Sequence, residues 1–516
     1  MTRPDAIVIG AGHNGLVCAA YLARAGLDVL VLEANDAAGG MAAARPLGDG
    51  YRVPGLPQCV APLGRAIRSE LELERHGYAP GRPVETIVLD PGSAHLAIGQ
   101  DRVAGDGLAQ ADAAAWPGFR RQYLAFAEAL RPLIENPPPR LKNLPRGDRM
   151  TFAKLGWKLR VGLGREAMYE FLRVVGMNIY DVLNDTFDDE RLKAAIAIDA
   201  VLGSAMGPRT PGTVLTWLQR LYGELDGAAT IHSGNRLVEA LTRAVEAAGG
   251  RLRCSAPVAR ILVEDGKASG VQLEDGETIG SGLVVSNVDP RRTFASLVGA
   301  PRLDTLFANR VTQIRGKGVV AKLHLALDGL PEFRGLGAAA LGNRLLVAPS
   351  MRDIERAFNH CKYGECSPEP VLEITLPSIH DPSLAPDGHH VLSVSAAFMP
   401  YDLDGGWEAG REAAARAVLA RLAQFAPGLE ARIVAREFLS PADIEAGYGA
   451  VQGHWHHGEL SLHQSFMLRP LYGAARYATP VDGLFLCGAG CHPGGGLTGL
   501  PGRNAARRIL DTGGRP

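Results

Sequence analysis

With 516 residues the chain is long enough to bury a large core and to form two domains. Its 54 basic and 55 acidic side chains leave a formal charge of −1, which removes the electrostatic case for a nucleic-acid partner. No apolar run approaches the ~20 residues of a membrane span, and the first apolar strand starts near Asp5, too early for a leader. Seven cysteines without a secretory signal then predict reduced thiols and a cytoplasmic protein. Any membrane contact would be peripheral, and no basic amphipathic segment announces one.

Asp5–Gly10 reads as a short buried strand that runs into a glycine turn. Leu16–Ala25 has helical spacing, Gly26 stops it, and Asp28–Glu33 is a second apolar strand. Gly10, Gly12 and Gly15 thus stand in the dinucleotide spacing within a strand–helix–strand unit. Gly10 makes the turn, Gly12 lets a pyrophosphate approach the backbone, and Gly15 lets helix and strand pack closely. The helix N-terminus offers free N–H groups to the phosphates. Glu33, ending the second strand, can accept hydrogen bonds from both ribose hydroxyls; facing a ligand, it should matter little to the apo fold. The pair Gly39-Gly40, with Arg45 a little further on, is the flavoprotein form of the pattern and selects FAD over NAD.

Tyr51–Val60 continues extended, Pro62–His76 looks helical, and Val84–Leu89 and His95–Ile98 suggest strands. Helical spacing covers Ala109–Leu133 and breaks at Pro137-Pro138-Pro139. Thr151–Tyr180, Glu190–Leu202 and Pro211–Leu225 predict an apolar helical lobe, read as core, with a hydrophobic substrate tunnel as the sharper alternative. Asn235–Ala248 is an amphipathic helix ended by Gly249-Gly250. Arg251–Cys254, Val258–Glu264, Ala268–Leu273 and Leu283–Ser286 are short strands with hairpin turns at Glu264-Asp265-Gly266 and Glu274-Asp275-Gly276, extending the first sheet. Val319–Leu327, Val371–Leu376, Val391–Ala397 and Arg432–Glu437 form a second sheet against a helix over Trp407–Phe425. Gly483–Gly490 is a strand and glycine turn, and Gly494–Leu510 a helix. The fold class is α/β: a discontinuous Rossmann-type FAD-binding domain (1–65, 226–300 and 465–516) with an inserted α+β substrate domain (66–225 and 301–464).

Ile7–Leu16 with Gly39-Gly40, the block Gly234–Pro290 and the stretch Cys487–Gly499 resemble the phytoene desaturase-like, carotenoid desaturase-related flavoproteins. His13-Asn14 and His457–Leu462 are most similar to the branch of the pyridine nucleotide-disulphide oxidoreductase domain-containing protein 2, a pattern shared by flavin-type carotenoid ketolases. The resemblance is specific at both ends and in the middle block, and weak across 66–210 and 300–445. It implies that Gly10, Gly12, His13, Asn14, Gly15, Gly39, Gly40 and Arg45 belong to the FAD site, with Glu33 on the ribose. Val258 would hold the adenine edge through its backbone. Gly488 would belong to the same site, Gly490 would pack on the ribityl chain, the turn Gly494–Leu497 with Gly496 would approach the ring, and the helix from Thr498 would aim its positive end at it. Two departures mark the substrate face: Cys491 where threonine is usual and His463 where aspartate is usual.

His454-x-His456-His457 has poor spacing for zinc without a distant fourth ligand, and the cysteine pairs have none, so no metal is expected. Gly494-x-Gly-x-x-Gly499 repeats a dinucleotide fingerprint, but too little chain follows it for a second nucleotide unit, which removes a separate NAD(P)H site. No GxSxG elbow supports nucleophilic catalysis. The expected enzyme is an FAD-dependent dehydrogenase or desaturase, passing hydride from a C–H of a hydrophobic or conjugated small molecule to flavin N5. Oxygen or a quinone would reoxidise it. His457, Glu459 and His492 are candidates for proton handling by position. A ketolase, a double-bond isomerase, and a protein that holds FAD without turnover are the alternatives.

Overall fold

The computed structural model describes residues 3–140 and 142–513. A five-stranded parallel sheet runs in the order Arg251–Arg253, Val29–Leu32, Ala6–Ile9, Val284–Ser286, Leu484–Leu486. The strands Ala6–Ile9 and Val29–Leu32 are buried at every position, because a parallel sheet is covered on both faces. The helices His13–Arg24, Asn235–Ala247 and Leu500–Thr512 supply one cover. Close approach is built into it: a Cβ on Gly502 would lie 2.1 Å from the Asn14 carbonyl of the first helix.

The meander Val258–Glu264, Lys267–Leu273, Thr278–Gly280 does not extend that sheet as expected. It forms its own three-stranded antiparallel sheet. Its apolar face packs on Ile7, Ile9, Leu30 and Leu32 instead.

A larger, eight-stranded sheet has the order Ile433–Leu439, Val320–Leu327, His390–Ala397, Val371–Thr375, Arg344–Val347, Thr86–Val88, Leu96–Ile98, Val103–Gly105. Along Val320–Leu327 the two-residue period of a strand separates two sets of side chains. Ala321, Leu323, Leu325 and Leu327 join the apolar core beneath the helix Trp407–Ala423. Lys322 and His324 point to the other face, opposite Ser395 and Ser393, and Glu373 follows Ser395 on the next strand. This polar row faces the helical lobe, whose main members are Gln110–Ile134, Glu190–Val201 and Thr213–Glu224. The strand Arg344–Val347 and the helices Met351–Lys362 and Pro441–Tyr448 have no counterpart in the sequence reading. Among the described residues no helix is long and apolar enough to cross a membrane.

Candidate functional site

The glycine turn after Ala6–Ile9 is fixed by packing rather than by side chains. A Cβ on Gly15 would stand 2.2 Å from the Gly10 carbonyl, so only glycine lets the helix begin this close to the strand. Asn287, just past Val284–Ser286, donates from Nδ2 to the Gly10 carbonyl at 3.3 Å and flanks Gly12. The helix starting at His13 has Gly12 as its cap and no capping side chain, so its first N–H groups remain available to an anion. Gly39 donates its N–H to the Ala11 carbonyl, and Gly40 lies against Gly12, closing the turn from the other side.

Glu33 is buried beside this turn and accepts hydrogen bonds from the N–H of Ala11 (2.7 Å) and of Asn35 (3.0 Å). The carboxylate therefore braces the turn itself, which the sequence reading did not anticipate, and keeps lone pairs for two ribose hydroxyls. Glu33→Ala is expected to weaken FAD binding by about 1–3 kcal/mol and to lower apo stability by about 1–2 kcal/mol. Titration of the apo protein with FAD and urea unfolding check the two effects; unchanged FAD affinity would place the ribose elsewhere. Val258 opens the meander two residues past Ala256, whose N–H donates to the Glu33 carbonyl at 2.8 Å.

Arg45 stands apart from this group. Its guanidinium is bound by Glu437 and by the Tyr448 hydroxyl, both from the large-sheet region, so its donors are committed away from a pyrophosphate.

At the C-terminal end, Gly494, Gly495 and Gly496 all have positive φ (+78°, +67°, +61°), a run that only glycines adopt without strain. Gly488 and Gly490 are packed so that a Cβ would meet Asn287 and Pro290 at 2.5 Å. The helix that follows begins at Leu500, later than the sequence reading placed it, with Gly499 as its cap; Thr498 precedes it and accepts from the Leu500 N–H at 3.4 Å. Arg469, a residue the sequence reading passed over, ties this end together. It is fully buried and donates to the carbonyls of His456 (2.7 Å), Glu459 (2.9 Å), Ala489 (2.9 Å), Gly458 and Cys491 (3.3 Å each). Burial lowers its guanidinium to about 10. Cys491 is buried, its thiol pushed up to about 12, whereas His463 is exposed.

A cavity of about 230 Å³ opens against Gly494–Thr498. Met41, Leu56, Ile134, Leu202 and Leu460 give it apolar walls, and Trp455 and His456 close one side, joined by a 3.0 Å hydrogen bond from Trp455 Nε1 to His456 Nε2. The three proton-handling candidates are not in this wall. His492 Nε2 donates to the Leu133 carbonyl (2.8 Å), and burial lowers the ring to about 4. His457 lies behind the wall near Asp289 and Arg291, also lowered to about 4 by burial. Glu459 accepts from the N–H groups of Ala205 (2.8 Å) and Leu460 (3.0 Å). Burial opposes its charge, yet these bonds and the nearby His454 hold the carboxyl below its usual range. None of the three lines the cavity, whereas the neighbouring His456 does, and the Nδ1 atoms of His457 and His492 are buried without a partner.

The far side of the cavity is polar and internally neutralised. Arg344, fully buried, holds Glu373 at 2.6 Å and Asp199 at 2.7 Å; Arg120 holds Glu224 at 2.7 Å. Ser395 and Gln58 also line it. Lys322 Nζ sits 3.2 Å behind Ser395 Oγ, and burial lowers its amine to about 7.

Several deeply buried polar atoms near the turns have no partner in the protein: His13 Nε2, Asn14 Oδ1, Asn504 Oδ1 and Nδ2, and both amide atoms of Gln58. Unsatisfied buried groups are costly, and a dinucleotide with a polar ring system laid along these turns would satisfy them. The residues present fit a flavin dinucleotide.

The comparisons with known proteins agree with that fit. The family of flavin containing amine oxidoreductases matches residues 15–510. The mouse pyridine nucleotide-disulfide oxidoreductase domain-containing protein 2 is 32% identical, covering 98% of this chain and 93% of its own. The hydroxyneurosporene desaturase of Cereibacter sphaeroides is 29% identical, with 98% and 97% covered. Among solved structures, putrescine oxidase bound to putrescine shares the fold at a TM-score of 0.62 and 17% identity, with 100% of both chains covered.

Proposed function

We propose, for a chain that belongs to the flavin containing amine oxidoreductase family and is an FAD-dependent enzyme, that it dehydrogenates a hydrophobic or conjugated small molecule. The chemistry that bound FAD would supply is acceptance of a hydride from a substrate carbon, which is the cofactor's own. The chain's residues bind, orient and exclude water. Gly10, Gly12 and the first N–H groups of the helix at His13 would hold the pyrophosphate, Glu33 the ribose, and Gly494–Leu497 the ring.

The observation that carries the substrate class is the state of the cavity's carboxylates. Asp199, Glu373 and Glu224 each sit within 2.7 Å of an arginine nitrogen. A cationic amine entering there would meet neutralised ion pairs and the apolar walls of Met41, Leu56 and Leu202, and burying an unpaired ammonium is costly. An uncharged apolar molecule meets no such cost. A desaturase relative supports the same reading.

The protein is expected to purify yellow, with FAD released by acid precipitation. Anaerobic mixing with apolar unsaturated candidates should bleach the oxidised flavin, and oxygen or a quinone should restore it. Bleaching by putrescine-like amines but not by apolar molecules would overturn the substrate class. Rapid reduction by NAD(P)H alone would reverse the direction of the reaction.

A further inference from the structure

The helical lobe carries an exposed apolar face that the sequence reading placed in the core. Met150, Trp157, Val161, Tyr169 and Leu172 are all more than half exposed, Trp157 by 67%. They lie on one continuous stretch: the helix Arg146–Trp157, a π-helical turn Lys158–Gly162 and the helix Arg165–Val174. Leu155, Leu159 and Leu163 pack against the core, so one face anchors the stretch. Met150, Trp157 and Val161, spaced by seven and four residues, share the opposite face. Apolar spacing alone could not tell the anchored stripe from the free one, which is why Trp157 and Val161 read as core.

The same stretch is basic, which corrects the sequence reading that no basic amphipathic segment is present. Residues 142–173 hold eight basic and three acidic side chains, a charge of +5, which leaves −6 on the rest of the chain. Of the acids, Asp148 is buried and bound by Arg476, and Glu170 is bound by Arg173. Among the described residues Arg146, Arg149, Lys154 and Arg160 have no carboxylate partner, and all four are exposed. Arg165 stacks over the Tyr169 ring at 5.8 Å.

We propose that this face docks on an anionic lipid bilayer, with Trp157 and Val161 at headgroup depth and the free cations on lipid phosphates. Exposed tryptophan and tyrosine beside unpaired arginine and lysine match the chemistry of a membrane interface, where an apolar body meets acyl chain and a cation meets phosphate. Self-association through the same face would oppose like charges, so a second copy of the chain fits it poorly. The lobe that carries the face also gives Ile134, Leu202 and Tyr222 to the cavity wall, so docking sets the cavity's own lobe against a store of apolar molecules. The docking face stands independently of the flavin reading, which the colour and bleaching assays test.

The test is co-sedimentation of the yellow holoenzyme with phosphatidylcholine vesicles, with and without about one-third phosphatidylglycerol. Binding is expected to the anionic vesicles alone and to weaken about tenfold in about 0.5 M salt. Trp157→Ser/Val161→Ser and Lys154→Glu/Arg160→Glu should each weaken it about tenfold or more, with flavin absorbance and melting unchanged. Absence of binding to anionic vesicles overturns the proposal, as do variants that bind like the parent. Variants that change the oligomer's size while vesicle binding persists would make the face a protein interface, and overturn it too.

Discussion

Arg469→Leu is expected to cost about 3–5 kcal/mol of stability and to abolish FAD retention. The guanidinium is the common donor to five backbone carbonyls drawn from His456–Glu459 and Ala489–Cys491. Leucine fills part of the volume and leaves those acceptors buried without donors. Each unsatisfied group costs about 1–3 kcal/mol, partly recovered by local rearrangement. Gly494 packs directly on Arg469, where a Cβ would lie 2.3 Å from its Nε, so loosening the guanidinium also loosens the glycine run beneath the ring. Arg469→Lys keeps the charge and loses the planar fork that reaches both loops, so an intermediate loss is expected. Urea unfolding and the bound-flavin absorbance measure the two effects. A leucine variant within about 1 kcal/mol of the parent that still holds FAD would show that the carbonyls find other partners.

Much of the parallel sheet was legible because its signals are local. Ala6–Ile9 and Val29–Leu32 are unbroken apolar runs, and Gly10, Gly12 and Gly15 punctuate them at short range. The helices Glu190–Val201 and Asn235–Ala247 fell within a residue of their expected ends for the same reason. The strand Arg344–Val347 was not legible. It opens on an arginine, which reads as surface, and the acids that neutralise it, Asp199 and Glu373, lie far off in the chain. The place of the meander depended on which sheet it reached, and hairpin turns carry no information about that. Arg469 shows the same limit: its partners are carbonyls, and carbonyls leave no trace in a sequence.

The cavity side of the site was harder still. His457, Glu459 and His492 drew notice by standing in or beside signature stretches, yet position in a motif does not say which way a side chain points. In the run His454–Glu459, Trp455 and His456 turn to the cavity, while His454 and Glu459 turn to one another at 3.8 Å. Lys322 lay unnoticed inside an apolar strand, where its two-residue register with His324 was visible but its burial was not. Both residues only acquire meaning once Ser395 and Glu373 are brought beside them by strand pairing.

Lys322→Met is expected to make the protein more stable at neutral pH and less active. Burial is the main force on this amine and lowers it from 10.5 to about 7, with Arg45 adding repulsion and Glu373 pulling the other way. Between pH of about 7 and about 10.5 the unfolded chain holds a proton at this position that the folded chain does not, so stability rises with pH across that window. At pH 7 and below the whole penalty is present, at most about 5 kcal/mol and about 2–3 kcal/mol after local relaxation. Methionine has a similar length and no charge to bury, so the variant should gain that amount at pH 7. Its advantage should shrink as pH rises and vanish near 10.5. Denaturant unfolding across this range measures the gap. The parent sequence keeps a costly amine 3.2 Å from a serine of the cavity wall, and a lysine poised near pH 7 can give or take a proton there. Turnover with a substrate that bleaches the flavin should therefore fall, while FAD affinity should hold. A variant that is less stable than the parent at pH 7 would mean that the ammonium is better solvated than its burial implies. A variant with full activity would leave Lys322 as a structural oddity and turn attention to His456 as the group that moves the proton.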